Sequence, residues 1–243
     1  MFHGDPRSVK ERIREGVWEA LEKSGEAIFP LPARGRVPNF RGSDAAALRL
    51  RELKEYRSAK TVMVNPDAAQ LPVRRMCLMD GKKVLMATPR LRRGFFIIDP
   101  ARTGNAGGCA TIAGALRHGA AADLRRTKVD LIVEGSVAVD ACGGRVGKGS
   151  GWGDLEYAVL RESGAASEDV KVVTTVHDLQ VTDDPIPMEP HDMPVDIILT
   201  PTRTITAKPT HPKPQGIAWG KLGREKLELV RKILGAASCV KRE

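Results

Sequence analysis

The sequence predicts an α/β fold in which a layered, largely parallel sheet is flanked by helices. Short apolar runs rich in β-branched residues alternate along the chain with stretches of helical periodicity. The run over residues 129–139 has the composition of a strand that is buried on both faces. A glycine-rich turn over residues 143–154 follows this run and leads into a helical stretch. Strands and helices that alternate in this way are typical of a parallel sheet.

The amino-terminal third predicts two helices joined by an extended segment. Ser8 and Glu11 have the spacing of a capping box, which predicts a helix over about residues 7–24. Residues 29–42 contain three prolines and three arginines, so this segment should be extended on the surface. A second helix is expected over residues 43–56.

The rest of the chain predicts further strands, helices and a turn. The strands are expected at 61–65, 83–87, 129–139, 170–176 and 195–199, the turn at 104–108, and the helices at 71–79, 109–116, 155–162 and 224–234. We find no internal repeat and no low-complexity linker, so residues 1–243 are predicted to form a single domain.

Polar residues follow four of the predicted strands. They are residues 65–67, the glycine-rich turn, residues 177–178 and residues 200–202. Ligands of open α/β sheets bind at the carboxyl ends of the strands. The four groups are therefore predicted to converge on one site.

Composition and charge limit the classes of partner. With 42% hydrophobic and 28% charged residues the chain is an ordinary globular protein, and its net charge of +9 suits nucleotides, polyglutamates or nucleic acid. The absence of an aromatic-rich strand of the RNA-recognition type disfavours nucleic acid. The four cysteines form no metal-binding pair, and no apolar run is long enough to cross a bilayer. A soluble, cytoplasmic protein with reduced thiols is therefore predicted.

The glycine-rich turn predicts a phosphate-binding loop. Six of the twelve residues from 143 to 154 are glycines, which allow backbone amides to approach an anion closely. It is neither a P-loop, because Cys142 stands at the place of the first glycine, nor a dinucleotide fingerprint, because Trp152 stands at the third. The alternative is a flexible loop between a strand and a helix. On the first helix Lys10 and Arg14 share one face, which suits either an anion or a solvated basic edge.

These motifs, in this order, resemble the 5-formyltetrahydrofolate cyclo-ligase family, also called methenyltetrahydrofolate synthetase. The residues that carry the resemblance are Lys10 and Arg14, residues 130–135, residues 145–154, and residues 191–196 with Thr200. A closer likeness is to the methenyltetrahydrofolate synthetase domain-containing subgroup, carried by residues 36–42, 88–92, 149–157 and 200–203. The resemblance covers nearly the whole chain.

The resemblance implies a fold like that of ribose-5-phosphate isomerases and CoA-transferases, and an ATP-dependent carbon-nitrogen cyclo-ligase. The implied reaction uses ATP and Mg²⁺ to convert 5-formyltetrahydrofolate, or a related formyl-pterin, to the 5,10-methenyl product with release of ADP and phosphate. The implied ATP-binding residues are Lys10, Arg14, Arg145, Gly147, Lys148, Gly149, Ser150 and Gly151. The implied catalytic residues are Lys148 and Arg145, the pterin contacts Asp67 and Trp152, and the metal ligands Asp154 and Asp192.

Some readings stay open beside this one. Asp154 could instead cap the following helix, and Asp192 could be a turn residue. Where the family has two tyrosines before the aspartate, this chain has Trp152 and Gly153, which puts folate recognition in question. The main alternative is a non-catalytic homologue that binds a nucleotide or a pterin and has an RNA-associated role. A sugar-phosphate isomerase or CoA-transferase on the same scaffold is a weaker reading, since it rests on fold analogy.

Overall fold

The structure is a computed structural model that describes residues 5–103, 106–208 and 210–235. Its helices are α1 (Pro6–Lys23), α2 (Ser43–Leu48), α3 (Lys54–Ser58), α4 (Leu71–Met79), α5 (Pro100–Thr103), α6 (Ala106–Cys109), α7 (Ile112–His118), α8 (Trp152–Glu162) and α9 (Arg224–Leu234). Its strands are β1 (Ala27–Ile28), β2 (Asn39–Phe40), β3 (Thr61–Val64), β4 (Lys83–Ala87), β5 (Phe95–Ile98), β6 (Ala120–Ala121), β7 (Val129–Glu134), β8 (Ala138–Asp140), β9 (Arg145–Val146), β10 (Ala166–Thr175), β11 (Val181–Thr182), β12 (Ile197–Leu199) and β13 (Thr204–Thr206).

The largest sheet formed by the described residues has eight strands in the order β13, β12, β10, β7, β3, β4, β5, β6. Its five central members, from β12 to β4, run parallel to one another, and β13, β5 and β6 are antiparallel additions at the two edges. The prediction of a largely parallel sheet flanked by helices is confirmed. All five central strands therefore end at the same edge of the sheet, where a ligand site is expected.

Helices cover both faces of this sheet. Along β7 the side chains of Leu131 and Val133 enter one apolar cluster and Ile132 enters the other, because successive residues of a strand point to opposite faces. The first cluster packs under α2, α3 and α4, and the second packs under α8 and α9. A central strand with two covered faces explains the continuous apolar composition read from the sequence.

The strand predicted over residues 129–139 is two strands in different sheets. β7 ends at Glu134, and β8 belongs to a small sheet in which it lies between β11 and β9. The chain leaves the large sheet at Gly135, whose amide donates to Oδ1 of Asn65 at 2.7 Å. Val137 then pairs with Val146, at 2.7 Å from amide to carbonyl oxygen. An apolar run does not reveal such a change of partner, so the prediction was wrong here.

The start of α1 also differs from the prediction. The helix begins at Pro6, and its N-cap is Asp5, whose carboxylate accepts a hydrogen bond from the Ser8 amide at 3.4 Å. Aspartate is a favourable N-cap, because its carboxylate accepts a hydrogen bond from an amide of the first turn. Proline is favourable at the first helical position, because an amide N–H there would have no hydrogen-bond partner in the helix and proline has none. Ser8 therefore lies inside the first turn, and the predicted capping box is wrong.

The helix predicted over residues 43–56 is broken. A 3₁₀ turn over Arg49–Glu52 follows α2, and Leu53 has an extended ψ of 132° before α3 begins. Leu50 and Tyr56 are both buried. In a continuous α-helix, six positions correspond to about 600° of rotation, so the two side chains would point to different faces. The break lets both side chains enter the same core cluster.

The remaining helices, strands and turn differ in how closely they follow the bounds predicted from the sequence. Helices α4 and α9 and strand β4 have the predicted bounds. The predicted turn over residues 104–108 lies partly outside the described residues, Ala106–Cys109 is helical, and the helix expected from residue 109 begins at Ile112. Helix α8 begins at Trp152 and not at Leu155, so Asp154 lies in its first turn and does not cap it.

Two further observations concern the cysteines and the helices of the described residues. Cys77 and Cys109 are buried and Cys142 is exposed, and all three are free thiols. Within the ranges that the structure describes, none of the helices combines the length and the apolar character that crossing a bilayer requires.

Candidate functional site

Residues 147–151 connect β9 to α8, and we call this segment the glycine loop. Gly149 and Gly151 have φ angles of 95° and 63°, in the left-handed region that glycine adopts without strain. Gly151 is the N-cap of α8, so the loop ends at the positive end of an eleven-residue helix. Backbone amides at such a place favour an anion.

Helices from the two ends of the chain hold the glycine loop in place. Arg14 on α1 donates from Nε to the carbonyl oxygen of Gly147 at 2.7 Å. Lys226 on α9 donates from Nζ to the carbonyl oxygen of Ser150 at 2.7 Å. The sequence predicted the first neighbour of the loop but not the second.

Two adjoining cavities lie on the two sides of the glycine loop. The small cavity, about 500 Å³, is bounded by α1, the glycine loop and the segment around Asp192. The large cavity, about 890 Å³, opens at the carboxyl ends of β3 and β7. Their common wall consists of Arg145, Gly147, Ser150, Gly151, Asp154 and Lys226. A ligand in one cavity therefore touches the same loop as a ligand in the other.

The small cavity contains the basic pair predicted from α1. Lys10 forms an ion pair with Asp192, and both side chains are about nine-tenths buried. Oδ2 of Asp192 also accepts the amide of Glu189 at 2.6 Å, which fixes the carboxylate in its turn. Arg14 pairs with Glu11 at 2.6 Å through Nη1 while its Nε holds the glycine loop. Lys10, Arg14 and Asp192 thus meet at one cavity, although Asp192 is 182 positions from Lys10 in sequence.

Arg145 and Asp154 form a buried ion pair in the common wall. Asp154 accepts from Nη2 of Arg145 and, at 3.0 Å, from the amide of Met193. Arg145 also donates to the carbonyl oxygens of Met193 at 3.3 Å and Gly135 at 3.4 Å. Burial opposes ionisation of Asp154, yet the guanidinium and the amide hold its pKa below the usual value. The carboxylate is therefore ionised at neutral pH.

The large cavity contains the other predicted substrate contacts. Lys148 of the glycine loop pairs with Asp67 at 2.9 Å. Trp152 lies at the start of α8, and the ammonium of Lys226 lies 4.8 Å from the centre of its indole ring. The predicted pterin contacts Asp67 and Trp152 thus line one cavity together with Lys148.

A buried arginine fixes the segment that carries Asp67. Arg74 on α4 donates to the carbonyl oxygens of Asn65, Asp67 at 3.0 Å and Ala110 at 2.8 Å. Burial lowers the pKa of Arg74 to about 10, so the guanidinium still carries its charge at neutral pH. The segment that ends β3 is therefore attached to the helical layer by a charged side chain.

Two buried glutamates at the large cavity were not predicted from the sequence. Glu134 ends β7, and its Oε1 lies 4.0 Å from Nη1 of Arg145, while its Oε2 has no hydrogen-bond partner among the described residues. Glu156 on α8 accepts from Nδ2 of Asn65 at 2.8 Å. Burial raises the pKa of Glu134 to about 8. The pKa of Glu156 is well above its usual value, mainly because the group is buried and also because of the nearby charge of Glu134.

A sequence signal for Glu134 did exist. It is a carboxylate inside an otherwise apolar strand, directly before the glycine at which the chain leaves the sheet. A buried carboxylate without an evident partner is a frequent mark of a functional site. Glu156 offered no comparable signal, because an acid on an amphipathic helix is normally solvated.

The expected convergence of four polar groups is half correct. Residues 65–67 and the glycine loop line the large cavity, but His177, Asp178 and Thr200 line neither cavity. Asp178 instead accepts from the hydroxyls of Thr200 at 2.9 Å and Thr202 at 2.7 Å. Because β10 and β12 are neighbours, the residues after them bond to each other and close this end of the sheet.

The predicted metal ligands lie at the small cavity. Asp154 and Asp192 both line it, each paired with a cation. Within the described ranges no three histidine, cysteine or acidic residues form a group that could hold a metal ion. Two carboxylates at a cavity that is also lined by Lys10 and Arg14 nevertheless fit Mg²⁺. In proteins Mg²⁺ commonly binds one or two carboxylates together with phosphate oxygens and waters.

A comparison with known protein families shows to which family the chain belongs. Residues 7–201 match the 5-formyltetrahydrofolate cyclo-ligase family. The chain belongs to this family. The match contains α1, β7, the glycine loop, α8 and the Asp192 turn, and it ends before α9.

Relatives within the cyclo-ligase family are named methenyltetrahydrofolate synthase domain-containing proteins. The bovine protein is 45% identical over 231 residues, which are 92% of this chain and 61% of that protein. The human protein is 43% identical over 93% of this chain and 61% of its own length. The chain thus spans about three fifths of the length of these relatives.

A solved structure shows the same fold. The Aquifex aeolicus 5,10-methenyltetrahydrofolate synthetase covers 82% of this chain and 92% of its own, with a TM-score of 0.50 and 18% identity. At that identity the likeness concerns the fold. It agrees with the sheet and helical layers described above.

The structure explains the departure from the double tyrosine of the cyclo-ligase family. A Cβ atom at Gly153 would overlap Oε1 of Glu134. The space beside residue 153 is therefore filled by a carboxyl group from β7. Gly153 and Glu134 are therefore linked by packing.

Proposed function

We propose that the chain is an ATP-dependent cyclo-ligase that converts 5-formyltetrahydrofolate, or a related formyl-pterin, to the 5,10-methenyl product with release of ADP and phosphate. The observation that carries this proposal is the common wall of the two cavities. A triphosphate in the small cavity would have its terminal phosphoryl group at the glycine loop, directly beside the large cavity. This is the arrangement that transfer between two substrates requires.

The small cavity has the groups that a triphosphate needs. Loop amides, the positive end of α8 and the cations Lys10, Arg14 and Arg145 surround it. Lys10 is paired with Asp192, and Arg145 is paired with Asp154. Binding of Mg·ATP would exchange these partners, so that the cations take the phosphates and the carboxylates face the metal. Mg²⁺ held by Asp154 and Asp192 would neutralise charge on the phosphates.

The large cavity has the size for a pterin. Its volume of about 890 Å³ is within the usual range for small-molecule sites. Trp152 can stack on a planar ring, and Asp67, Glu134 and Glu156 offer carboxyl groups to ring N–H donors. The formyl oxygen would attack the terminal phosphorus and ADP would leave. N10 would then attack the activated carbon and lose its proton as phosphate departs.

Within this scheme Lys148 and Arg145 would be the catalytic cations. Both lie where charge develops, Lys148 on the glycine loop and Arg145 in the common wall. Lys148 is more than one-third exposed and is free to leave Asp67 when a phosphate is offered. The buried Arg145 is fixed by three groups and would act by position.

The direct test is a spectrophotometric assay with 5-formyltetrahydrofolate, Mg²⁺ and ATP, which follows the absorbance of the methenyl product. Asp192→Asn should lower kcat by about 100-fold, because a metal-facing carboxylate is lost. The exposed Asp183→Asn, which lies at neither cavity, is the control and should match wild type. Absence of product from the wild-type protein at saturating Mg·ATP and folate would refute the proposal.

The second candidate is a homologue that binds a nucleotide or a pterin without turnover. The observation that favours it is Glu134, which fills the space beside Gly153 where the family has an aromatic wall. Calorimetric titration separates the two candidates. Mg·ADP binding without product formation supports the second candidate, and product formation excludes it.

A further inference from the structure

The segment after the family match contributes to both cavities. The match ends at residue 201, yet five residues between 216 and 226 line the small cavity, and two residues of α9 line the large one. The first set is Gly216, Ala218, Lys221, Leu222 and Lys226, and the second is Glu225 and Lys226. Lys226 is common to both sets. The site therefore includes a wall that the family motifs do not describe.

The ammonium of Lys226 rests on the glycine loop. It donates to the carbonyl oxygen of Ser150 at 2.7 Å and lies 4.8 Å from the centre of the Trp152 ring. A Cβ atom at Gly151 would be 3.4 Å from this Nζ, which shows how closely the side chain approaches the N-cap of α8. The charge is thus placed at the junction of the two cavities.

Lys226 differs in its pairing from Arg145, the other cation of the common wall. Arg145 and Lys226 are the two cations in the common wall, and Arg145 is bound to Asp154. For Lys226 no carboxylate lies within 4.0 Å in the described part of the chain. Partial burial lowers the pKa of Lys226, and the charge of Asp154 opposes this effect. An unpaired, partly desolvated ammonium can accept an anion without first giving up a carboxylate.

We propose that Lys226 contacts the phosphoryl group that passes between the two cavities. This inference rests on the proposed function and adds a residue from outside the family match. During transfer the bond from the terminal phosphorus to the ADP oxygen breaks and a bond to the formyl oxygen forms, while Lys226 forms no covalent bond. The equatorial phosphoryl oxygens carry the charge in this step, and a cation beside them stabilises the transition state.

The test compares Lys226→Met, which keeps most of the apolar stem and removes the charge, with Lys232→Met on the same helix. Lys232 is exposed and lines neither cavity. Calorimetry with Mg²⁺ should show that Lys226→Met weakens β,γ-imido-ATP more than ADP. In the absorbance assay its kcat should fall about 10- to 100-fold with a smaller change in KM for folate. Lys226→Arg should recover part of the loss, and Lys232→Met should match wild type.

The outcomes separate this inference from the proposed function. If Lys226→Met and Lys232→Met have the same kcat and the same affinity for β,γ-imido-ATP, Lys226 does not contact the phosphoryl group. If the wild-type protein binds both nucleotides but forms no methenyl product, the reaction is wrong, and the titration with β,γ-imido-ATP still decides the role of Lys226. If the wild-type protein binds neither nucleotide, both proposals fail.

Discussion

Gly153 offers the sharpest test of the reasoning about the large cavity, because glycine-to-alanine changes in helices normally stabilise a protein. Gly16 is an exposed residue in the middle of α1, and a Cβ atom there would have no neighbour within 4 Å. Gly16→Ala should therefore raise the free energy of unfolding by about 1 kcal/mol through helix propensity. Gly153→Ala introduces the same methyl group at the second residue of α8, where it would overlap Oε1 of Glu134.

The overlap reverses the expected sign. Overpacking of a dense interior costs about 1–3 kcal/mol, because neighbouring side chains must leave their preferred rotamers. Glu134 is buried at the wall of the large cavity, and if its side chain turned away from residue 153, Oε1 would lose its place 4.0 Å from Nη1 of Arg145. Gly153→Ala should therefore be less stable than Gly16→Ala by about 1–3 kcal/mol, which corresponds to about 3–9 °C in Tm for a domain of this size.

Urea denaturation followed by circular dichroism gives the two free energies, and a third variant identifies the cause. Glu134→Ala in the Gly153→Ala background removes the overlapping carboxyl group, so the cost of the alanine should largely vanish in a double-mutant cycle. If Gly153→Ala is as stable as Gly16→Ala, or if removal of Glu134 leaves its cost unchanged, Glu134 does not occupy the space beside residue 153.

Three other predictions concern single charged side chains. Because burial raises the pKa of Glu134 to about 8, its contribution to stability is complete below the usual value of 4.5 and is lost as the pH rises through about 8. Glu134→Gln should therefore flatten this part of the pH dependence of the free energy of unfolding, measured in urea between about pH 5 and 9. Arg145→Met should lower the free energy of unfolding by about 3–5 kcal/mol, because the Asp154 carboxylate loses its buried partner. The Arg145→Met, Asp154→Leu double variant should recover that loss. If it does not, the unpaired Asp154 carboxylate is not the cause of the loss. Asp130→Ala should cost about 1–3 kcal/mol in urea denaturation, since it removes Oδ2 of Asp130, which accepts the amides of Lys60 and Thr61, each at 2.9 Å. The exposed Asp169→Ala should cost nothing measurable by the same method.

Local patterns in the sequence were enough for the layered parallel sheet, the glycine loop and helices such as α4 and α9. These features depend on periodicity and turn chemistry within short windows, which a single sequence contains. The break after Glu134 could not be predicted in this way, because it depends on the Asn65 side chain, 70 positions away, which captures the Gly135 amide. Lys226 was missed for the same reason, since its contact with Ser150 spans 76 positions.

The resemblance to the family assigned roles to residues that periodicity and spacing could not assign. It did not predict how these side chains are paired with one another. It associated Lys10, Arg145, Asp154 and Asp192 with phosphates and a metal. The structure shows that these four side chains form two ion pairs, Lys10 with Asp192 and Arg145 with Asp154. It also shows that Gly153 is accompanied by Glu134, a coupling that two separate motif positions do not reveal.

The bonds from Arg74 to the backbone around Asp67 have a thermodynamic consequence. Arg74 holds the Asp67 segment, Asp67 holds Lys148, and Lys148 belongs to the glycine loop, so the loop is connected to α4 through successive polar contacts. Arg14 and Lys226 also hold the backbone of the loop, so the loop is already ordered by contacts that do not involve Lys148. If the loop binds a nucleotide as proposed, calorimetry with Mg·ADP should record a modest entropic penalty on association. Arg74→Met should enlarge that penalty, although it leaves the side chains proposed to contact phosphate unchanged.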